Sequence, residues 1–297
     1  MPGVAFVVNG SLVRGGGRLL ALCGEAAARH GWRAEFLVTE KAEDGVTAAS
    51  SAALDGIDLV VAVGGDGTVR GCAEGLARTG VPLAIVPHGT ANLLARTLRV
   101  PGHPKAALGV ALAVTPGTGG VDRTIDLAVA DEVPFTAMAG MGLDAAVVAG
   151  TRLKHQFGWL AYAVSGAAHL ALPPARFSIR LDGGAPVERT ARSVVVGNSG
   201  LLPGGFSLLP DARPDDGLLD VGVLAPHGPL GWPRLATRVL ARSHHEDRML
   251  ERFQARKVEI SATTPLPREV DGELVAASHS LTVTVVPSAL TVRMPRL

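Results

Sequence analysis

Aromatic and charged side chains are scarce in this chain of 297 residues: 4% are aromatic and 19% are charged, and the formal net charge is +1. A nucleic-acid-binding surface usually shows a clustered excess of basic residues, and single strands are bound by stacking on aromatic side chains. The composition provides neither feature. We therefore expect no nucleic-acid partner.

Cysteine is limited to Cys23 and Cys72, each alone in a stretch of helical character. This number and spacing support neither a zinc site nor a disulfide framework. We expect buried thiols in a reducing cytoplasm. The chain opens on a short apolar strand, residues 4–8, without a basic leader, so no secretory signal is predicted.

Long hydrophobic runs are also rare. Residues 157–175 carry no formal charge and reach the length of a membrane span. The run contains Ser165, Gly166 and His169 and ends at Pro173-Pro174, and no second run of similar strength lies nearby. We interpret it as a buried or lipid-facing helix and predict no transmembrane span.

Hydrophobic residues make up 47% of the chain, which is ample for two domains. Residues 1–125 alternate between strand and helix patterns. This alternation predicts an α/β domain with a parallel sheet between two layers of helices, a three-layer arrangement that suits nucleotide binding. Strands are predicted at residues 4–8, 33–38, 59–63 and 81–86, and helices at residues 18–30, 46–54, 69–78 and 91–98.

Residues 126–286 have a different sequence pattern, in which short strand-like segments are separated by glycine-containing turns. This pattern predicts a mostly antiparallel β domain with helices. Strands are predicted at residues 175–181, 192–196, 219–224, 257–262 and 281–286, and helices at residues 145–172 and 235–253. Residues 287–297 form a candidate strand that returns to the first domain. The run 244–247 places four polar residues side by side, so it reads as a solvated helix face and not as a metal-ligand set.

The most informative motif is Gly64-Gly65-Asp66-Gly67-Thr68, between the buried strand 59–63 and a helix. Such a turn lets the backbone approach a phosphate and aims N–H groups at it. Asp66 would repel phosphate unless a cation or a proton mediates, which favours metal-assisted phosphoryl chemistry over simple anion binding. The motif fits neither a dinucleotide fingerprint, because Arg70 replaces the last glycine, nor a P-loop, which needs a lysine. A tight turn with glycines for geometry alone is the alternative.

Further motifs follow in order along the chain. They are Pro87-His88-Gly89-Thr90-Ala91-Asn92, Gly140-Met141-Gly142-Leu143-Asp144-Ala145, Val196-Gly197-Asn198, Gly204-Gly205, Pro210-Asp211-Ala212, Asp215-Asp216-Gly217-Leu218-Leu219-Asp220 and Asp271-Gly272-Glu273. This ordered set resembles the diacylglycerol kinase catalytic-domain family, which comprises bacterial diacylglycerol and related lipid kinases and is related to sphingosine and ceramide kinases. The resemblance spans almost the whole chain.

The resemblance implies an ATP site at the carboxyl ends of the parallel strands, where ligands of such sheets collect. The implied residues are Asn9, Thr39, Gly64, Gly65, Asp66, Gly67, Thr68, Gly89, Thr90 and Asn92. One element departs from the family pattern, which has proline after the first asparagine. Here Gly10 follows Asn9, so the phosphate roles of Ser11 and Arg14 stay open.

The resemblance also implies a Mg²⁺ site formed by the Asp216 carboxylate with the backbone oxygens of Arg213 and Leu218. Hard cations take such oxygen ligands; an aspartate-glycine turn between strands is the alternative. By the same resemblance, Glu273 is the general base and Asp271 shares that task or orients it. A hairpin turn with exposed acids is the alternative there.

The implied function is an ATP- and Mg²⁺-dependent lipid kinase of phospholipid biosynthesis that phosphorylates a hydroxyl of diacylglycerol or a related lipid. Asp66 would engage Mg²⁺ or the transferring phosphate, and residues 135–143 and 158–172 are candidates to surround the acyl chains. We expect a cytoplasmic protein, peripheral at the inner membrane face, for which a homodimer is open. A soluble-substrate kinase with an NAD-kinase-like fold and an inactive nucleotide-binding regulator are the alternatives.

Overall fold

The computed structural model describes residues 1–14, 17–113, 119–142, 174–201, 207–227 and 249–296, together with positions 231, 234, 235 and 237. The chain divides into two compact units. The first comprises Met1–Leu127 and Ser288–Leu297, and the second comprises Ala128–Pro287.

The first unit alternates strands and helices from its amino terminus. In order, the elements are β1 (Gly3–Asn9), α1 (Gly10–Arg14), α2 (Arg18–Arg29), β2 (Arg33–Thr39), α3 (Ala42–Leu54), β3 (Leu59–Gly64), α4 (Asp66–Gly75), β4 (Leu83–Pro87), α5 (Leu93–Thr97), α6 (Pro104–Leu112) and most of β5 (Val121–Ala130). The sheet order is β2-β1-β3-β4 with all neighbours parallel. The carboxyl end of β14 (Glu273–Met294) adds a parallel pairing of Val292 with Leu83.

The register of this sheet places the strand ends side by side. Asn9 at the end of β1 pairs with Thr39 at the end of β2, and Gly64 at the end of β3 pairs with Pro87 at the end of β4. Because parallel strands run in one direction, the loops that follow all four strands open at one edge. β3 and β4 are buried along their whole length, whereas most of the edge strand β2 is exposed.

Helices α3 and α4 pack closely because glycines lie at their contact. A Cβ atom on Gly75 would lie 2.4 Å from the carbonyl oxygen of Val46, and one on Gly45 would lie 3.5 Å from the Cα atom of Gly71. These close contacts fix α4, the helix that follows the glycine turn, against α3.

The second unit is built from antiparallel strands in its described parts. After the end of β5, its elements are β6 (Val133–Phe135), β7 (Met138–Gly142), β8 (Ala175–Leu181), β9 (Val187–Ala191), β10 (Ser193–Gly197), β11 (Leu219–Leu224), β12 (Leu250–Ala255), β13 (Lys257–Val270) and the first part of β14. The sheet order is β12-β11-β10-β7-β13-β14, and β8 joins β13 to β9.

Apolar residues cover both faces of this second sheet, so that β7, β10 and β11 are buried along their whole length. Ala139, Val194 and Val221 belong to a large core cluster on one face. Met138 and Val195 belong to a smaller cluster on the opposite face. A strand that is buried on both faces loses the polar alternation of a half-exposed strand.

The expected fold class, a parallel α/β domain followed by a mostly antiparallel β domain, is confirmed. The predicted helix 235–253 is wrong at its end, because residues from Leu250 onward form β12, which pairs antiparallel with β11. Residues 135–142 of the segment proposed to surround acyl chains are mainly strand and core: Phe135, Ala139 and Met141 are fully buried. The short helix α1 and the helix α6 were not predicted.

The predicted helix 145–172, the second acyl-chain segment 158–172, Gly204-Gly205 and the polar run 244–247 lie outside the described residues, as does most of the uncharged run 157–175. In the parts of the chain that the structure does describe, no helix is both long enough and apolar enough to cross a bilayer. Cys23 and Cys72 are buried and unpaired, as predicted, and burial raises the pKa of each thiol to about 12.

We expect Gly75→Ala to lower the free energy of unfolding by about 1–3 kcal/mol, because the added methyl group forces α3 and α4 apart. Gly109→Ala in α6 is the matched control. No atom lies within 4 Å of its would-be Cβ, so the substitution should raise stability by about 0.5–1 kcal/mol through helix propensity. Urea unfolding of both variants measures the difference, and equal effects would contradict the packing argument.

Candidate active site

The first glycine loop joins β3 to α4. Gly64 ends the strand, Gly65 is the N-cap of α4, and Asp66 is the first helical residue. The first N–H groups of a helix have no intrahelical partner and attract anions. Thr68 in the first turn of α4 is buried, and a Cβ on Gly64 would lie 2.4 Å from its Oγ1 atom. Glycine is therefore required where β3 turns into the helix.

The second glycine loop follows β4 and touches the first. The backbone N–H of His88 donates to the carbonyl oxygen of Gly64 at 2.8 Å. A Cβ on Gly89 would lie 2.5 Å from the Cα atom of Gly65. Two backbone segments without side chains thus meet at the strand ends, and the next residue, Thr90, is exposed there.

Asp66 joins the two loops through its carboxylate. Its Oδ2 accepts a hydrogen bond from the backbone N–H of Asn92 at 2.9 Å, and its Oδ1 accepts one from Leu93 at 2.6 Å. These donors lie at the start of α5, where helical N–H groups need outside acceptors. Asn92 has a positive φ of 48° and donates from Nδ2 to the carbonyl oxygen of Gly89 at 2.8 Å. The sequence did not reveal this structural use of Asp66; its role toward Mg²⁺ or phosphate stays a prediction.

Asn9 and Thr39 lie beside each other at the same edge. The Oδ1 atom of Asn9 accepts hydrogen bonds from the backbone N–H and the hydroxyl of Ser11 at 3.0 and 2.6 Å. Thr39 is buried, and its hydroxyl donates to the carbonyl oxygen of Val8 at 3.3 Å. Arg14 forms an exposed ion pair with Glu40 at 2.7 Å. The predicted ATP-binding residues thus share one edge of the first sheet.

In the second unit, Asp271 and Gly272 form the turn between β13 and β14 with positive φ angles of 46° and 78°. The Asp271 carboxylate accepts four hydrogen bonds: from the N–H and hydroxyl of Thr136 at 2.9 and 3.1 Å, and from the N–H groups of Ala137 and Met138 at 2.9 and 3.1 Å. An ionised carboxylate offers about four acceptor positions. The Asp271 side chain is therefore occupied in fixing the segment before β7.

Glu273 begins β14 directly after this turn and is half-buried. It pairs with Val270, whose side chain lies in the large core cluster. Directly opposite residues of an antiparallel pair point to the same face. The Glu273 side chain therefore leaves the backbone on the face of the hairpin that packs against the core. The turn itself is also held by Glu269, whose Oε2 accepts from the N–H of Gly272 at 2.7 Å.

The predicted metal residues form an exposed turn before β11. The Oδ1 atom of Asp216 accepts from the N–H of Leu218 at 3.0 Å, and Gly217 has a φ of 74°. The guanidinium of Arg213 pairs with Asp215 at 3.2 Å. Among the described residues, no three His, Cys, Asp or Glu side chains are grouped closely enough to hold a metal ion. A cation at this turn would therefore depend on backbone oxygens as well as Asp216.

A buried acid next to this turn favours a cation. Asp220 accepts from Gln254 at 3.1 Å through Oδ1, and its Oδ2 is buried with no hydrogen-bond partner in the described chain. The pKa of Asp220 is raised to about 6, mainly by burial and in part by the negative charges of Asp216 and Asp211, although the hydrogen bond from Gln254 and the charge of Arg252 lower it. One carboxylate and two carbonyl oxygens are donors that Mg²⁺ accepts. The residues present thus fit a magnesium ion.

Two buried acids were missed in the sequence. Asp126 is buried in β5 and accepts from the backbone N–H of Ser288 at 2.7 Å, and Glu269 is buried in β13. The available signal was a single acid within an apolar strand, as in Ile125-Asp126-Leu127.

Two family models together match most of the chain. The diacylglycerol kinase catalytic domain matches residues 4–121, and the YegS C-terminal NAD kinase beta sandwich-like domain matches residues 137–294. A Pseudomonas fluorescens protein named "Probable lipid kinase YegS-like" is 34% identical over 276 residues, covering 91% of this chain and 89% of the relative. The "Diacylglycerol kinase" of Bacillus subtilis is 31% identical over 250 residues, covering 82% and 80%.

Solved structures share the fold. A diacylglycerol kinase structure from Bacillus anthracis str. Sterne superposes with a TM-score of 0.70 at 21% identity and covers 99% of this chain and 96% of that one. An NAD kinase from Archaeoglobus fulgidus, solved with ATP, gives a TM-score of 0.54 at 14% identity and covers 97% and 92%. At these identities the structures support the fold alone. The family models and the relatives above 30% identity go further: the chain belongs to the diacylglycerol kinase and YegS-like family of lipid kinases.

Proposed function

We propose that this chain is an ATP- and Mg²⁺-dependent lipid kinase that phosphorylates a hydroxyl of diacylglycerol or a related neutral lipid. The observation that carries the proposal is the contact between the glycine loops at Gly65 and Gly89. Backbone without side chains, at the start of a helix and at the carboxyl edge of a parallel sheet, suits the phosphates of a nucleotide.

For the nucleotide, the chain offers backbone N–H groups of the first turn of α4 and the exposed hydroxyl of Thr90. Asp66 holds the two glycine loops together by accepting hydrogen bonds from the backbone N–H groups of Asn92 and Leu93. Asn9 and Thr39 lie at the ends of the neighbouring strands β1 and β2, and they would form the border of the nucleotide site next to those strands.

For the acceptor, we assign the general base to Glu273. As the lipid hydroxyl oxygen forms its bond to the terminal phosphorus of ATP, Glu273 takes the hydroxyl proton, and the bond from that phosphorus to the ADP oxygen breaks. Asp271 is the weaker candidate, because four hydrogen bonds occupy its carboxylate. We assign it the task of fixing the turn on which Glu273 begins.

Asp216, with the carbonyl oxygens of Arg213 and Leu218, would hold the magnesium ion. When bound, the ion supplies positive charge next to Asp216 and to the buried Asp220 carboxylate. A lipid acceptor requires the protein to work at a membrane surface, so we propose a peripheral enzyme of phospholipid metabolism at the inner membrane face.

Incubating the purified protein with Mg²⁺, ATP labelled in its terminal phosphate and a total lipid extract should produce a labelled product that partitions into chloroform. Defined hydroxyl lipids then identify the acceptor, and NAD added in a parallel reaction tests the soluble-substrate alternative. Label found in NADP and not in lipid would overturn the proposal. No transfer to any acceptor would favour a nucleotide-binding regulator.

Glu273→Gln and Asp271→Asn should separate the two acids. We expect Glu273→Gln to lower kcat by about 10²–10⁴-fold, because the amide cannot take the proton, while ATP affinity and stability change little. Asp271→Asn should lower the free energy of unfolding by about 2 kcal/mol or more, because it leaves backbone donors without acceptors. Kinetics and urea unfolding of both variants measure this. A stable, inactive Asp271→Asn beside an active Glu273→Gln would reverse the roles.

Asp216→Ala tests the magnesium site through thermal stability. In the wild-type protein, added Mg²⁺ should raise the melting temperature, because a ligand that binds only the folded state stabilises it. Asp216→Ala should lose most of this rise. Asp215→Ala is the neighbouring control and should keep it, since Asp215 pairs with Arg213. Equal Mg²⁺-induced shifts of the melting temperature in all three proteins would show that Asp216 does not bind the ion.

A further inference from the structure

The loops that follow β1 and β2 are joined by a pair of side chains that the proposed function does not use. Nη1 of Arg14, at the end of α1, donates to Oε1 of Glu40, directly after β2, at 2.7 Å. Asn9 and Thr39, which end the two strands, are paired in the sheet. The Arg14–Glu40 pair therefore lies at the carboxyl edge of the first sheet, where ligands of parallel sheets bind.

Glycine at position 10 leaves the space that the Glu40 carboxylate occupies. Gly10 is buried at the start of α1, and a Cβ atom on it would lie 2.9 Å from Cδ of Glu40 and closer still to Oε1. A proline ring at this position, as in the family pattern, would overlap the carboxylate where it now lies. The change from proline to glycine is therefore matched to the position of Glu40.

The Glu40 side chain reaches from the end of β2 to the end of β1. Because the sheet order is β2-β1-β3-β4, this direction leads toward the two glycine loops. Neighbouring strands lie about 4.8 Å apart, so the end of β1 is one strand spacing from Gly64 at the end of β3. A nucleotide with its phosphates on the glycine loops would therefore present its ribose, the group next to the phosphates, at the end of β1.

The Glu40 carboxylate has acceptor positions to offer. Its side chain is 59% exposed, and within the described chain it accepts only the hydrogen bond from Arg14. An ionised carboxylate has about four acceptor positions and no donor, so it binds hydroxyl groups and repels phosphate. Carboxylates hold ribose hydroxyl groups in other nucleotide-binding parallel sheets. Arg14 offsets the negative charge, which lets the pair lie near a polyphosphate.

The backbone on both sides of the pair is fixed by short-range hydrogen bonds. Oδ2 of Asp44, in the first turn of α3, accepts from the N–H groups of Glu40 and Lys41 at 2.9 and 3.0 Å. Oδ1 of Asn9 accepts from the N–H of Ser11 at 3.0 Å. An acceptor on a fixed backbone can distinguish ligands that differ by a single group.

We infer that Glu40 recognises the ribose hydroxyl groups of the bound nucleotide, and that Gly10 and Arg14 position its carboxylate for this task. The inference rests on the proposed function for the presence of a nucleotide on the glycine loops. It adds a residue that selects nucleotides with ribose hydroxyl groups over those without them, and it gives the altered opening element a role.

Nucleotide binding without lipid tests the assignment of Glu40. In calorimetric titrations with Mg²⁺, we expect the wild-type protein to bind ATP about tenfold or more tightly than 2′,3′-dideoxy-ATP, which lacks both ribose hydroxyl groups. Glu40→Ala should weaken ATP binding until the ratio is about twofold or less, with little change in dideoxy-ATP affinity or melting temperature. Glu40→Gln should have an intermediate ratio, because an amide oxygen still accepts from a hydroxyl group.

Glu35→Ala is the matched control for Glu40→Ala. Glu35 is also an exposed glutamate, but it lies within β2 and not after its end. This variant should keep the wild-type ratio. Equal binding of the two nucleotides by the wild-type protein, an unchanged ratio in Glu40→Ala, or an equal loss in Glu35→Ala would overturn the inference.

Gly10→Ala provides a second test that keeps Glu40 in the chain. The added methyl group would displace the carboxylate, so the ratio should fall toward that of Glu40→Ala. The melting temperature should change little, because the displaced group is the end of an exposed side chain. Gly109→Ala, with no atom within 4 Å of its would-be Cβ, should keep the ratio. An unchanged ratio in Gly10→Ala would contradict the positioning role of Gly10.

Arg14→Met tests the other positioning residue. Without its partner, the Glu40 side chain samples more rotamers, so the ratio should fall in part, and Arg14→Lys should restore it because lysine also donates to a carboxylate. ATP and dideoxy-ATP carry the same phosphates, so any contact between Arg14 and phosphate cancels in the ratio. A wild-type ratio in Arg14→Met would remove Arg14 from the positioning of Glu40.

Kinase assays separate this inference from the proposed function. If the protein phosphorylates a lipid and uses dideoxy-ATP with the same KM as ATP, the kinase proposal stands and Glu40 does not recognise the ribose. If ATP is preferred through Glu40 but no lipid is phosphorylated, the ribose site stands and the kinase proposal fails. Absence of ATP binding to the wild-type protein would overturn both.

Discussion

The hydrogen bonds from the backbone N–H groups of Asn92 and Leu93 to the Asp66 carboxylate hold together the glycine loops of the first unit. A charged acceptor strengthens such bonds. The loops approach so closely that a side chain on Gly89 would meet the backbone of Gly65. Every proposed contact with a nucleotide phosphate depends on this arrangement, because it aligns the start of α4 with the strand ends.

The second unit uses the same device at a different place. Asp271 gathers the backbone donors of residues 136–138, and Glu269 holds the following glycine. These hydrogen bonds occupy acceptor positions on both carboxylates, and a proton-transfer role would need those positions. Glu273, the proposed general base, follows directly after this turn. A rigid turn would give it a defined approach to a hydroxyl group.

Much of the fold could be predicted from local patterns. The strand at Leu219–Leu224 was predicted with the same bounds as observed, and the parallel strands β1 to β4 were predicted to within a few residues, because apolar runs between turns leave few alternatives; β5 was not predicted. The error at Leu250–Ala255 came from a segment whose strand state depends on pairing with β11. A cross-strand partner far along the chain is not visible in local periodicity.

The sequence by itself determined the alternation of strands and helices in the first unit, the two glycine loops, the acids of the candidate site and the likeness to the lipid kinase family, because these depend on residue type and spacing along the chain. Only the tertiary structure decided which acids are already engaged. Asp66 and Asp271 accept hydrogen bonds from backbone donors of other segments, and Asp131 forms an ion pair with Arg268. Hydrogen bonds and burial depend on residues that folding brings together, and spacing in the sequence does not encode their distances.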